Sequence, residues 1–473
     1  DVSGNIALTT LYCAENQLTS LDVSSNTALS GLHCWGNQLT SLDVSNNTAL
    51  TNMVFNSNQL DSLDVSNNTA LTHLYCAENQ LTSLDVSNNT ALEVLHCNYN
   101  QLTYLNMKNG VTDQLTDFNA TNNSLTCIEV LDPAWTTANW TSDSGNIDTG
   151  VSFDVICGAE AQTHWYVDTT GSDAQGSGTL TSPLATIQTA INATTEGDTV
   201  SVAAGTYVEN VTITTNLILM SESGPATTII DGNLTEHIIS IESASVKVDG
   251  FTVQNGQGND ESYDGSTGGV IEVYSMGEEE EIVLENILFI EPGETNIGSL
   301  VFNSHSNTNI IIDHCTFADN SVSALHTWYP GTFYVSNSIF LLGSASLEQG
   351  LGVEDTISFS LLYPWDDGVN QDPTITNTCI FGLNPLFVDV ANDDYHLADW
   401  SPCIGAGTAT DGHEPIPQGS NPDMGAYENA LGAPAEHIVI SADTLLVAED
   451  TAVTIDFQEN DLVLNVTVLV LSI

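Results

Sequence analysis

NTALTHLYCAENQLTSLDVSN, residues 68–88, is one copy of a pattern that recurs every 21 residues without an insertion. Leu8, Leu29, Leu50, Leu71 and Leu92 share one position of the frame, and Leu11, Leu32, Met53, Leu74 and Leu95 share a second. Two more columns hold Leu18, Leu39, Leu60, Leu81 and Leu102, then Leu21, Leu42, Leu63, Leu84 and Leu105. A segment this short cannot bury its own apolar face. A strict period therefore predicts coils that stack and bury their leucines between neighbours.

Polar and small residues keep the same frame. Asn16, Asn37, Asn58, Asn79 and Asn100 form a column whose side-chain amides are expected to satisfy backbone groups at a turn. Cys13, Cys34, Cys76 and Cys97 occupy one position, with Phe55 in the third copy. A position that accepts Phe is a core position, so these thiols read as small apolar groups and not as metal ligands. Asp22, Asp43, Asp64 and Asp85 would stack about 4.8 Å apart, which requires either solvation or a bridging cation. Beside the cysteines, alternation turns Tyr12, His33, Val54, Tyr75 and His96 outward on one side, and Ala14, Trp35, Asn56, Ala77 and Asn98 on the other. Such a row either grips a sugar or a protein, or merely supports its own sheet through cross-strand pairs.

The LxxLxC arm, the NQL turn and the returning LTSLDVS resemble the leucine-rich repeats of secreted Bacteroidetes-type surface proteins. The resemblance assigns residues 1–126 to repeats and residues 127–163 to a C-terminal cap. Cys127 and Cys157 stand at the two ends of that cap, and in a secreted context they are the first candidates for a disulfide. Cys379 and Cys403 are a second candidate pair, and Cys315 reads as buried and unlinked.

WYVDTTGSDAQGSGTLTSPLATIQTAINATTEGDTVSVAAGTYVENVTI, residues 165–213, changes the pattern: a strand, a Gly-rich loop, a short helix with Ile187 and Ile191 four apart, then a strand ending in Gly205-Thr206-Tyr207. It resembles the opening of right-handed parallel β-helix proteins of the pectate-lyase-like superfamily. NPLFVDVANDDYHLADWSPCIGAG (384–407) and NPDMGAYE (421–428) resemble the terminal coils of such domains in large bacterial surface proteins. The resemblance implies a β-helix over residues 164–430. Residues 431–473 look like part of a cadherin-like or immunoglobulin-like module. The expected fold class is mostly β, with two solenoids in series (leucine-rich repeat, then right-handed parallel β-helix) and a short C-terminal β segment.

The chain of 473 residues carries 61 acidic side chains against two lysines, Lys108 and Lys247, for a net charge of −59 and a pI near 4.1. Phosphate recognition needs clustered Lys and Arg, so nucleic acid and anionic membrane are excluded as partners. A chain this acidic repels itself and needs salt or divalent cations to stay compact. Calcium is the candidate structural ion. Asp168 and Asp173 flank the Gly-rich loop, and Asp389, Asp393 and Asp394 make a second oxygen-rich turn. No required cofactor is expected. No apolar run reaches the ~18 residues of a membrane helix.

Lyases of the β-helix superfamily use an Arg or Lys base, and this region offers only Lys247, on a strand where alternation turns it outward. The acid sets of the related hydrolases are absent as a set, although Asp313 and His314 are adjacent. The sequence therefore favours a secreted, non-enzymatic structural or adhesive surface protein. Its finer form is a subunit of a head-to-tail extracellular filament, in which Val463, Leu464, Val466, Val468 and Val470 of the alternating last strand add to the uncapped repeat end of a neighbour. The chain begins inside a repeat and ends in mid-strand, which suggests a processed product. The alternative is a carbohydrate-active β-helix, lyase or hydrolase, with a repeat domain for targeting. Self-assembly, another surface protein or a neutral glycan are the expected partners. Tyr12, His33, Trp35, Tyr75, His96, Trp328, Tyr329 and Trp365 are the candidate ligand-binding residues.

Overall fold

The structure is a computed structural model describing residues 1–158, 162–235, 237–256, 269–274, 280–290, 299–303, 308–318, 323–327, 332–341, 348–349, 355–363, 374–375, 378–408, 421–429, 431, 437–438 and 463–464. It divides into two compact units, Asp1–Thr194 and Thr195–Ile473.

The first unit is a leucine-rich-repeat solenoid. Six three-residue strands, Thr10–Tyr12, Gly31–His33, Asn52–Val54, His73–Tyr75, Val94–His96 and Asp117–Asn119, form one parallel sheet in that order. Their central residues Leu11, Leu32, Met53, Leu74, Leu95 and Phe118 stand in register. Leu29, Leu32, Leu39, Leu50, Leu60, Leu71 and Leu74 are wholly buried. Fully burying a leucine side chain contributes roughly 1.5–3 kcal/mol, and the stack does so at every coil. Cys34, Cys76, Cys97 and Phe55 fill the same column and are equally buried. Burial pushes the Cys34 and Cys97 thiols up to about 12, which leaves them unreactive.

Two asparagine columns bolt the coils together. The Asn58 amide donates to Cys34 O of the preceding coil (3.1 Å) and to Phe55 O of its own (3.0 Å), while its Oδ1 accepts from Leu39 N–H (3.0 Å). Asn37 and Asn79 repeat the arrangement. The residue just before each of these asparagines has a left-handed backbone: Glu15, Gly36, Ser57, Glu78 and Tyr99, with φ between 51° and 66°. The second column, Asn26, Asn47, Asn68 and Asn89, lies wholly inside. Asn47 donates to Val23 O (3.0 Å) and Asn26 O (2.9 Å), both one coil back.

On the opposite side, Ser83–Asp85, Tyr104–Asn106, Cys127–Glu129 and Ser152–Asp154 form a four-stranded sheet. A disulfide joins Cys127 to Cys157, with Cα atoms 5.8 Å apart. Between them, Asp132 caps the helix Pro133–Asn139 by accepting from Trp135 N–H (2.9 Å), and Pro133 takes the first turn, where its missing N–H costs nothing. Trp140 then packs on Phe118, ring centroids 4.2 Å apart. In the segment that follows, Asp173 accepts from Ala185 N–H (2.7 Å) and Thr186 N–H (3.0 Å) and so closes the Gly-rich loop. Ile187 and Ile191 of helix Ile187–Ala193 are both buried.

In the second unit, successive strands feed three parallel sheets in turn. One runs Asp198–Val202, Leu217–Ser221, Val246–Asp249, Glu281–Glu285, Asn309–Asp313, Thr332–Ser336, Thr356–Ser358 and Thr374–Ile375. The second begins at Gly205–Val208 and Thr228–Asp231, the third at Val211–Ile213 and Ile239–Glu242. Apolar columns line the inside: Leu219, Val248, Leu284, Ile312, Val335 and Ile357 pair in register and are almost fully buried. Phe289, Phe317 and Phe340 stack with centroids 4.5 and 4.6 Å apart. For the five strands from Val246–Asp249 to Thr356–Ser358 the corner to the second sheet carries one left-handed residue, in turn Gly250, Asn286, His314, Asn337 and Phe359. A left-handed residue reverses the local pleat and turns the chain sharply without extra length.

Two expectations are corrected. Gly205-Thr206-Tyr207 opens a strand instead of ending one, because Asp198–Val202 has already stopped. Cys379 and Cys403 are not joined: the Cys379 thiol donates to Ile357 O (3.5 Å), while Cys403 is enclosed by Ile339, Leu361, Leu397 and Met424. Cys315 is buried and unlinked.

Candidate functional site

The outer face of the six-stranded sheet carries the aromatic row. Tyr12 and His33 stack with ring centroids 4.1 Å apart and planes within 7°. Tyr75 meets His96 edge to face at 5.1 Å and His73 at 6.4 Å. His96 Nε2 is 2.9 Å from Asp117 Oδ2, and His73 Nδ1 is 2.9 Å from the Thr72 hydroxyl. Tyr12 is 72% exposed and Trp35, two frame positions along, 38%. Partial burial holds the His33 imidazole below its ordinary value of 6.5, so it is mostly neutral near pH 7. The cross-strand pairing of these rings is real, yet one face of the row stays open to solvent. Ala77, expected outward, is only 7% exposed, and its N–H donates to Asn56 Oδ1 at 2.9 Å. Trp328, Tyr329 and Trp365 lie outside the described residues.

Both cations are committed internally. Lys108 Nζ lies 3.3 Å from Glu129 Oε2 with the two side chains 2% and 11% exposed. Lys247 bridges Asp249 Oδ2 (3.1 Å) and Glu285 Oε2. Burial pulls the Lys247 ammonium down, but hydrogen bonds and charge from Glu285 and Asp249 outweigh it and hold it above 10.5. An ammonium held this way is a poor general base. Asp313 accepts from Ser336 and Asn337 (2.8 Å each) and lies 3.3 Å from His314 Nδ1, and both residues are buried.

The candidate calcium ligands serve local turns. Asp168 accepts from Thr170 N–H and hydroxyl (2.7 Å each), and Asp173 closes the loop described above. Asp389 accepts from Asn392 (2.6 Å), Asp393 is the left-handed residue of that turn, and Asp394 lies 2.7 Å from His396 Nδ1. Asp22, Asp43, Asp64 and Asp85 each accept from the N–H of the serine two residues on, at 2.9–3.0 Å. Among the described residues no three His, Cys, Asp or Glu side chains are grouped to hold a metal ion. Val463–Leu464 pairs antiparallel with His437–Ile438, and Val466, Val468 and Val470 lie outside the described residues. No described helix is long and apolar enough to cross a membrane.

The sequence reading missed the inner asparagine column and the Lys108–Glu129 pair. Both had a signal: Asn26, Asn47, Asn68 and Asn89 keep the 21-residue frame, and Lys108 and Glu129 are one period apart.

No family model matches the chain, and no curated protein matches it. Among solved structures it is similar to the functional domain of InlJ from Listeria monocytogenes, which includes a cysteine ladder: 20% identity over 67% of this chain and 72% of that one, TM-score 0.27. It is also similar to the internalin InlF of Listeria monocytogenes (12% identity, 70% and 84% covered, TM-score 0.25) and to YopM from Yersinia enterocolitica (12%, 78% and 73%, TM-score 0.21). The functional reading rests on this chain's own residues.

Proposed function

We propose that the chain is a secreted, non-enzymatic adhesive or structural protein of a bacterial surface, which docks another surface protein on the open face of its leucine-rich-repeat sheet. The observation that carries this reading is the row Tyr12, His33, Tyr75 and His96 with Trp35 beside it, aromatic on a rigid parallel sheet and not consumed by the core. Rigid aromatic side chains lose little entropy on docking, and they are the anchors that interfaces favour. The second unit is read as a right-handed parallel β-helix acting as a spacer, supported by its three parallel sheets and by the internal commitment of Lys247.

The test is adhesion of the purified chain to cells of its source, compared with the triple variant Tyr12→Ala, Trp35→Ala, Tyr75→Ala. Loss of adhesion with an unchanged melting temperature supports the reading; equal adhesion refutes it. A head-to-tail filament, with calcium as its structural ion, is the finer form of the proposal. Electron microscopy of native material with calcium and after chelation tests it.

A further inference from the structure

A second concave site lies within the first unit, on the four-stranded sheet and away from the aromatic row. It encloses about 450 Å³, inside the range of roughly 300–1,000 Å³ typical of small-molecule clefts. Its floor is Ser83 and the ring of Tyr104, directly paired on adjacent strands and both facing out. Its walls are the two acid turns Asp64–Ser66 and Asp85–Ser87, with Asn88 beyond. Its rim is Gln175, whose amide donates to Asp85 Oδ2 and lies 3.2 Å from the Ser87 hydroxyl.

The rim is held in place. Asn106, itself buried, donates to Ala174 O at 3.0 Å, and Asp173 fastens the loop from behind. Gly176 allows the loop to close, since a Cβ there would collide with Ser172 O and Pro183 O. The phenol of Tyr104 is anchored on Glu129 Oε2 (3.2 Å), so the ring is fixed and its exposed part faces the cleft. Among the described residues, neither the Ser83 hydroxyl nor the Asn88 side-chain amide carries a hydrogen bond.

The chemistry of the lining selects the ligand. Two carboxylates with no cation among the lining residues repel anions, so uronates, sulfated sugars and phosphates are excluded. Carboxylate, hydroxyl and amide groups around one aromatic ring suit a molecule with several hydroxyl donors and an apolar C–H face. We infer that this cleft binds a neutral pyranose unit of a glycan, with its C–H face on Tyr104 and its hydroxyls donating to Asp64 and pairing with Ser83 and Asn88. The cleft would add sugar recognition to a chain whose protein-docking row lies on the other sheet, so the two readings stand or fall separately.

The experiment is saturation-transfer NMR on the full chain with methyl glycosides of glucose, galactose, mannose and N-acetylglucosamine. Sodium galacturonate, its carboxylate free, serves as the anionic control and Nα-acetyl-lysine methyl ester, its ε-amine free, as an amine control. The expected result is transfer to the ring protons of at least one neutral glycoside and none to the galacturonate. Asp64→Ala, on an exposed turn, should weaken binding roughly tenfold, and Ser83→Trp, which fills the cleft, should abolish it while the Tyr12, Trp35 and Tyr75 variant binds normally. No transfer from any neutral glycoside overturns the inference. So does transfer that survives Ser83→Trp, or binding of the amine or galacturonate in place of the glycosides.

Discussion

Lys108 Nζ and Glu129 Oε2 meet at 3.3 Å in the interior of the last repeats, one 21-residue period apart in the chain. The same carboxylate receives the Tyr104 phenol, and its other oxygen takes the N–H of Cys157, so one ion pair ties the sheet to the disulfide-linked cap. Removing the lysine alone leaves a buried charge uncompensated. Lys108→Ala should cost about 3–5 kcal/mol, whereas replacing the pair by Met and Gln, which removes both charges and keeps an acceptor for the Cys157 N–H, should cost clearly less. Urea titration, following the first unit through its tryptophans, checks both outcomes. A cost for the double variant equal to that of the single one would contradict the account.

The left-handed tip of each repeat is occupied by glycine only at Gly36. A Cβ built there meets nothing closer than 3.4 Å, so the strain of Gly36→Ala lies in the backbone alone. That variant should lose about 1 kcal/mol, and Tyr99→Gly should gain a fraction of that amount, since a non-glycine residue is strained in this conformation. Melting temperatures of the two variants should move in opposite directions.

The two asparagine columns should differ in weight. Asn58→Ala removes the acceptor of the buried Leu39 N–H as well as two donated bonds, while Asn47→Ala removes donated bonds only and eliminates an Oδ1 with no hydrogen-bond partner in the structure. An orphaned buried N–H costs about 1–3 kcal/mol, so Asn58→Ala should be the more damaging by about that amount. Hydrogen exchange at Leu39 should accelerate only in Asn58→Ala.

Acid should loosen the first unit through its turn aspartates. Hydrogen bonds from Ser24, Ser45 and Ser66 hold Asp22, Asp43 and Asp64 below the ordinary carboxylate value of 3.8. A depressed carboxylate stabilises the fold above its unfolded value and loses that stabilisation as pH falls through the folded one. Replacing all three by Asn keeps the acceptor but removes the titration. The variant should match the parent or exceed it slightly at pH 7, where mutual repulsion of the aspartates is relieved, and its stability should fall less steeply below pH ~4. Parallel stability curves would refute this.

Repetition made the first unit legible. Leucine, cysteine and outer asparagine columns each recur in frame, and their buried places follow from stacking alone. The inner asparagines carried the same periodicity but sit in an NT dipeptide that looks like turn filler; only the carbonyls of the preceding coil show why the amide is buried. In the second unit the corner residue changes identity from Gly250 to Asn286, His314, Asn337 and Phe359, so no column of one letter marks it. The cleft was the least legible feature. Gln175 and Asp85 are 90 residues apart, and nothing local in either stretch announces their contact.

The reach of Asn47 and Asn58 into the coil before them sets a grammar for length change. Through the first five copies each amide fits carbonyls one 21-residue quantum back, while Asn123 seats the same bonds to Cys97 O and Ala120 O across a coil two residues longer. Recombination between two copies, which are nearly interchangeable in sequence, would respect that quantum automatically and give a shorter or longer rod with every bolt still seated. A slip of one residue would instead turn each downstream leucine away from the stack and leave each asparagine facing the wrong carbonyl.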